Sequence, residues 1–189
     1  MKAYQDASLA PVRRAKALLE EMTLAEKIGQ LNQRLYGFRI YERKCVNGED
    51  TIELSEEFCQ EVEKYSGLGV LYGLYRADPW ADKNYETGLT GVLSKKAYNQ
   101  VQRYVLEHSR LGIPVMMSSE CPHGHQALDG YLLPVNLLAG ATFDPAMVRA
   151  AYRVSGRQLQ NMGVDLALMS MLDVLRDPRW GRSEECYSE

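Results

Sequence analysis

The chain has 189 residues, 46% hydrophobic and 25% charged, with 15 glycines and 7 prolines spread along its length; so much apolar content offsets chain entropy, excludes a disordered class and allows one domain with a substantial core. The net charge of −3 comes from acids and bases interspersed without a basic block, which argues against a nucleic-acid partner because phosphate binding draws on clustered Lys and Arg. No segment approaches the roughly 20 apolar residues of a membrane span, and the stretch Met1 to Glu21 carries no signal-peptide core.

Pro11 to Glu21 reads as a helix with proline in its first turn. Thr23-Leu24-Ala25-Glu26 has the capping-box pattern and opens a second helix through Leu31, with Leu24, Ile28 and Leu31 on one face. Arg34 to Asp50 is mixed and is expected to be an irregular excursion. Ser55 starts a further helix to about Tyr65. Leu68 to Tyr72 is a short apolar run between glycines, hence a buried strand.

Asp78 to Gly91 is loop-like. Ser94 to Arg110 is a helix with Val101, Val105 and Leu106 inward, ended at Gly112, and Ile113 to Ser118 is a second strand. Asp144-Pro145 caps a helix from Ala146 to Met162, which Gly163 ends, and Val164 to Val174 is a third strand. Alternating strands and helices predict a parallel α/β sheet with helical crossovers. The last strand leads into a polar turn with no covering helix, so the chain is expected to be a truncated fragment. The four cysteines, Cys45, Cys59, Cys121 and Cys186, lack CxxC spacing and read as reduced thiols of a cytoplasmic protein.

In parallel α/β folds ligands sit beyond the carboxyl ends of strands. Two such ends carry chemistry: Met116 to Gln126, with Glu120 and His123, and Asp173 to Arg182. Glu120, Cys121, His123 and His125 are metal donors by type, but Pro122 and Gly124 make a turn of them and no second cluster completes a tetrahedral site. Cys121 and His123 are too close in sequence to face each other as nucleophile and base, and no orienting acid is apparent. Sugar recognition suits the remaining groups: Glu120 can accept from adjacent hydroxyls, Arg182 can donate in a fork, and Trp180 offers a ring or anchors the turn. Arg176, Asp177 and Arg179 read as a turn held by its own ion pairs.

At these residues the sequence resembles the N-terminal domain of glycoside hydrolase family 3, the β-glucosidase and β-xylosidase family. "MTLAEKIGQL" (Met22 to Leu31) looks like the family's opening helix, "RLGIPVMMSSECPHG" (Arg110 to Gly124) is similar to its helix-to-strand segment, and Leu132 to Glu189 follows the family most closely. The resemblance implies an incomplete N-terminal part of a (β/α)8 TIM-type barrel over residues 1–189, with 1–66 a helical lead-in and 67–189 the first β/α units. It implies retaining, exo-acting hydrolysis of terminal β-linked xylose or glucose, with no cofactor or metal.

By the same resemblance Glu120 and Arg182 bind sugar hydroxyls and His123 lies nearby as a weaker candidate. The nucleophile and the acid/base are expected beyond Glu189. Many glucosidases of the family carry Asp at the position of Glu120. Glutamate reaches one methylene further, into space a hydroxymethyl group would need, which favours xylose. The implied partner is a β-linked oligosaccharide or glycoside, with no nucleic acid and no membrane; the missing C-terminal part or a second copy is a further expected partner. The rival reading is a non-catalytic fragment with weak or no sugar binding.

Overall fold

A computed structural model describes residues 2–169 and 171–188. Several of its helices begin where a side-chain oxygen takes up free N–H groups of the first turn. Pro11 opens α1 (Pro11–Glu21). Thr23 caps α2 (Leu24–Leu31) reciprocally with Glu26: the Glu26 N–H donates to Thr23 Oγ1 at 3.3 Å and the Thr23 N–H donates to Glu26 Oε2 at 2.7 Å. Ser55 accepts from the Phe58 N–H ahead of α3 (Glu56–Tyr65).

The irregular excursion expected over Arg34–Asp50 is instead a hairpin, so the lead-in is not purely helical. Strands β1 (Tyr41–Val46) and β2 (Glu49–Leu54) pair antiparallel around Asn47 and Gly48, whose φ angles are 53° and 81°. Two successive positive φ values match the twist of the flanking strands, which is why Asn-Gly is favoured there. The flanks, Glu-Arg-Lys and Glu-Asp-Thr, are mostly polar. No apolar alternation therefore marks them as strands.

Strands β3 (Val70–Tyr72), β4 (Met116–Glu120) and β5 (Leu166–Leu168) form a parallel sheet in that order, with Tyr72 opposite Ser118 and Ser118 opposite Leu166. Helices α4 (Gly91–Glu107) and α6 (Pro145–Asn161) are the crossovers. A short α5 (Asn136–Gly140), unsignalled in the sequence, lies before α6. Asp144 accepts from the N–H groups of Ala146 and Met147, and Gly163 follows α6 with φ 73°. The fold is α/β, built as the opening units of a TIM-type barrel. The third strand is shorter than expected: β5 has three residues, Leu172 and Val174 lie exposed beyond it, and Ser170 is outside the described residues.

The core lies under β3 and β4, where Phe58, Val62, Leu68, Leu71, Ala97, Val101, Val105 and Met117 are fully or almost fully buried. Leu106 was expected among them but is exposed, because the buried stripe of α4 runs through Leu93, Ala97, Val101 and Val105. Leu24, Ile28 and Leu31 are likewise exposed; α2 turns Glu26 and Gly29 inward instead. Arg110 meets the buried Glu26 carboxylate through Nε at 2.9 Å and a terminal nitrogen at 2.7 Å, and these bonds draw its pKa down to about 2.

The lead-in also runs along the edge of β3 that β4 leaves free. The Gly69 N–H donates to Gly29 O at 3.0 Å, the Val70 N–H to Asn32 O at 3.4 Å, and Tyr36 bridges to Tyr72. A Cβ on Gly69 would stand 1.9 Å from Gln30 O, and one on Gly37 2.4 Å from Leu74 N. Glycine at both positions permits this approach.

Candidate functional site

Strands β3 and β4 end side by side, and their carboxyl ends deliver Tyr72 and Glu120 to one place. The Tyr72 hydroxyl donates to Glu120 Oε1 at 2.6 Å. Arg76, four residues past Tyr72, donates to that hydroxyl and stands 3.5 Å from the same Oε1. Its other nitrogens are fixed by Asp78 Oδ2, with Nε at 2.7 Å and a terminal nitrogen at 2.6 Å. Asp78 in turn accepts from the Ala81 N–H at 2.8 Å. The Arg76 guanidinium also lies 4.5 Å from the ring centroid of Trp80.

Burial first, and the Glu120 charge second, push the Tyr72 hydroxyl pKa up, so it remains a donor. One cation, Arg76, faces two carboxylates, Asp78 and Glu120, so the cluster keeps a net negative charge. The donors converge on Oε1, and Oε2 has no hydrogen bond among the described residues. Such a site suits a neutral group rich in hydroxyl donors rather than an anion.

The loop after Glu120 is turned by Gly124, with φ 92° and the space of a Cβ filled by Tyr131 O. His123 is half-buried there, its carbonyl accepting from the Leu133 N–H at 2.8 Å. His125 is wholly buried, with Nε2 2.9 Å from Ser119 Oγ, Nδ1 unpartnered among the described residues, and its pKa lowered to about 4 by burial. Burial also pushes the Cys121 thiol up, away from nucleophilic character. Of the four donors at 120–125, Cys121 and His125 are interior, Glu120 stands at the strand end and His123 in the loop beyond it, and no metal-binding group of three or more His, Cys, Asp or Glu occurs among the described residues.

Arg182 lies in a separate turn. Asp177 and Arg179 pair with each other as expected, and Trp180 is part-exposed. Arg182 forks onto Glu185, with Nε at 2.8 Å and a terminal nitrogen at 2.7 Å. Asn136 Nδ2 donates to Glu185 O at 2.8 Å, and Asn136 Oδ1 lies 2.7 Å from the Tyr152 hydroxyl, itself 2.5 Å from Pro122 O. The turn is thus tied to the loop that carries His123. Glu120 adds to the negative field that raises the Arg182 pKa, chiefly the work of Glu185. The two groups share a field, while the ion pair of Arg182 is with Glu185.

Tyr72, Arg76, Asp78 and Trp80 went unread in the sequence. The signal was there: "YRADPW" (Tyr75 to Trp80) follows the carboxyl end of the first strand of the sheet, where the strand-end rule applies equally.

Residues 23–189 match the family described as the glycosyl hydrolase family 3 N terminal domain. Among relatives, the chain is 30% identical over 188 residues to a protein of Formosa agariphila named a candidate β-xylosidase, covering 100% of this chain and 23% of that one. It is 28% identical over 172 residues to a periplasmic β-glucosidase of Salmonella typhimurium, covering 91% of this chain and 18% of that one. Among solved structures, a β-glucosidase from Erythrobacter marinus matches with a TM-score of 0.71 and 29% identity, over 98% of this chain and 22% of that one. The chain spans less than a quarter of the length of each of these proteins.

Proposed function

The chain belongs to glycosyl hydrolase family 3, and from that premise we propose that it forms the terminal-sugar-binding part of a retaining, exo-acting β-glycosidase. The substrate is a glycoside or oligosaccharide ending in β-linked xylose or glucose. The observation that carries this reading is Glu120: a carboxylate at the carboxyl end of the middle strand, with Oε1 fixed by Tyr72 and Arg76.

In this reading Oε2 accepts from hydroxyls of the terminal sugar. Arg182 exchanges part of its fork to Glu185 for a second hydroxyl, and His123 borders the pocket. Retention requires a nucleophile and an acid/base about 5–5.5 Å apart. The carboxylates placed here hold sugar or one another's cations, so the reacting pair belongs to other residues and this chain alone is inactive. Tyr72 and Arg76 crowd the β3 side of the longer Glu120 side chain, which favours the pentose, since a hydroxymethyl group has less room there.

The test is hydrolysis of aryl β-xyloside and aryl β-glucoside by a polypeptide extended to the length of the relatives. The xyloside is expected to react faster, with Glu120→Ala lowering kcat/KM by about 100-fold, as loss of hydrogen bonds to a charged group implies. Equal rates on both sugars would remove the pentose preference. The 189-residue chain is expected to turn over neither substrate; turnover abolished by Arg182→Ala would overturn its assignment as non-catalytic.

A further inference from the structure

A groove of about 860 Å3 lies between α4 and the end of α6, within the roughly 300–1,000 Å3 of small-molecule sites. Gly91, Lys95 and Asn99 are four apart and so share the stripe that α4 gives to it. The last turn of α6 and the residues to Gly163 supply the rest of the wall, which includes none of Tyr72, Arg76, Glu120 or Arg182. Two tyrosines in this wall are fixed before any ligand arrives. The Tyr75 hydroxyl donates to Met162 O at 2.7 Å. The Tyr98 ring lies against Gly163, where a Cβ would stand 2.8 Å from it, so glycine permits the contact. The polar groups are mostly neutral. Gln158 Oε1 accepts from the Tyr131 N–H at 3.1 Å, which leaves its Nε2 to donate. Asn99 and Asn161 are exposed, with no side-chain hydrogen bond among the described residues. Ser94 is 4% exposed, and its hydroxyl has no partner among the described residues.

We propose that this groove is a separate, non-catalytic binding site for a neutral sugar, on the helical side of the sheet. It is carried by the groove alone and holds whatever Glu120 binds. A side-chain amide sets an N–H donor beside a carbonyl acceptor, and a pair of neighbouring sugar hydroxyls, each able to donate and accept, matches that arrangement. Three such amides, Asn99, Gln158 and Asn161, meet here around the two tyrosines, and the C–H faces of a pyranose suit an aromatic wall. Burying a hydroxyl without a partner costs about 1–3 kcal/mol, so Ser94 is a hydrogen-bonding capacity that the described residues leave unused. Lys95 and Asp129 are one cation and one anion, and Asp129 already accepts from the Gly91 N–H. The groove therefore has no net charge with which to select a phosphate or a carboxylate. Glycoside hydrolysis needs two carboxyl groups; Asp129 alone lines the groove, so the sugar binds there and does not react.

The experiment titrates xylobiose into the full 189-residue chain, read by calorimetry and by backbone amide shifts in NMR, and repeats it in Glu120→Ala. Binding with a Kd of about 1 mM is expected to survive in Glu120→Ala, with shifts concentrated at residues 91–99 and 158–163. Should Glu120→Ala fail to fold, the shifts in the parent chain locate the groove by themselves. Asn99→Ala combined with Asn161→Ala, both at exposed positions, should weaken the groove about tenfold, the order of two lost hydrogen bonds, and leave thermal unfolding unchanged. Shifts confined to the surroundings of Glu120, or binding lost entirely in a folded Glu120→Ala, overturn the groove and leave the reading of Glu120 intact. Shifts in the groove and none around Glu120 support the groove and remove the reading of Glu120. Binding at neither place overturns both. Glucuronate binding in the groove more tightly than xylobiose overturns the neutral ligand class.

Discussion

Every buried side chain of the main apolar cluster lies between Leu35 and Ala127, with part-buried Met162 and Val164 packed against it from later in the chain. Beyond Ala127 the buried hydrophobic residues are Leu159 and Cys186, while Leu132, Leu138, Phe143, Met147, Leu172 and Val174 are exposed. Both regions are rich in leucine, valine and methionine, so composition does not separate them. What separates them is supply of a second surface: β3 and β4 have α3, α4 and the lead-in against them, whereas β5 has β4 on one edge and little on its faces. Family membership extends over residues 23–189, the loosely packed part as well as the well-packed one. Likeness to a family and burial within a chain are separate properties, because a motif can be selected for contacts its own segment does not supply.

Paired substitutions put the contrast at its largest. Phe58→Ala should destabilise the fold by about 3–5 kcal/mol through the cavity it leaves, whereas Phe143→Ala, at a side chain 92% exposed, should stay within about 0.5 kcal/mol. Denaturant midpoints decide it; equal losses would mean that the two regions are equally packed in solution.

Acid should find the well-packed region through its buried histidine. The His125 pKa falls from 6.5 to about 4 on folding because burial disfavours its charged form. Between those values the unfolded chain binds a proton that the folded chain refuses, so stability drops as pH falls from 6.5 toward 4. The loss approaches about 2–3 kcal/mol. His125→Asn should flatten the pH dependence in that window, and an unchanged slope would sink the assignment.

The Glu26–Arg110 contact acts lower on the scale. The folded Glu26 pKa of about 2 lies below the ordinary glutamate value of 4.5, so its contribution is present above pH 4.5 and is lost as pH falls toward 2. With Arg110 half-exposed, about 1–2 kcal/mol is expected, measured as the stability of the parent chain over Arg110→Ala above pH 4.5, a margin that should shrink as pH falls toward 2.

The smallest expected effect has the opposite sign. Gly156 lies inside α6 with open space where a Cβ would stand, so Gly156→Ala should stabilise by up to about 1 kcal/mol. A loss on thermal unfolding would show that α6 is packed more closely than its exposure indicates.

The parallel order of the sheet and the caps at Thr23, Ser55 and Asp144 were legible because each is set by neighbours in sequence. Glu120 was legible for a related reason: an acid directly after an apolar strand announces a carboxyl end. Tyr72 and Arg76 were not, because their roles come from the β3–β4 register, which brings residues 48 positions apart to 2.6 Å. Arg182 was legible as a fork that meets hydroxyls or orients a carboxylate, but which carboxylate, Glu185, is set by the fold of a three-residue turn. The hairpin was announced by Asn47-Gly48 and hidden by its polar flanks. Leu106 failed as a core residue because a helical stripe drifts around its axis over four turns, and Leu93 and Ala97 set its course.

The glycines that let the lead-in lie against β3 give the sheet a valence. One margin is already occupied in part by Gly29, Asn32 and Tyr36, while β5 is the other end of the row among the described residues. A sheet with one free margin cannot propagate as a fibre by edge pairing. Two copies meeting through β5 would occupy each other's outer edges and stop at a closed pair.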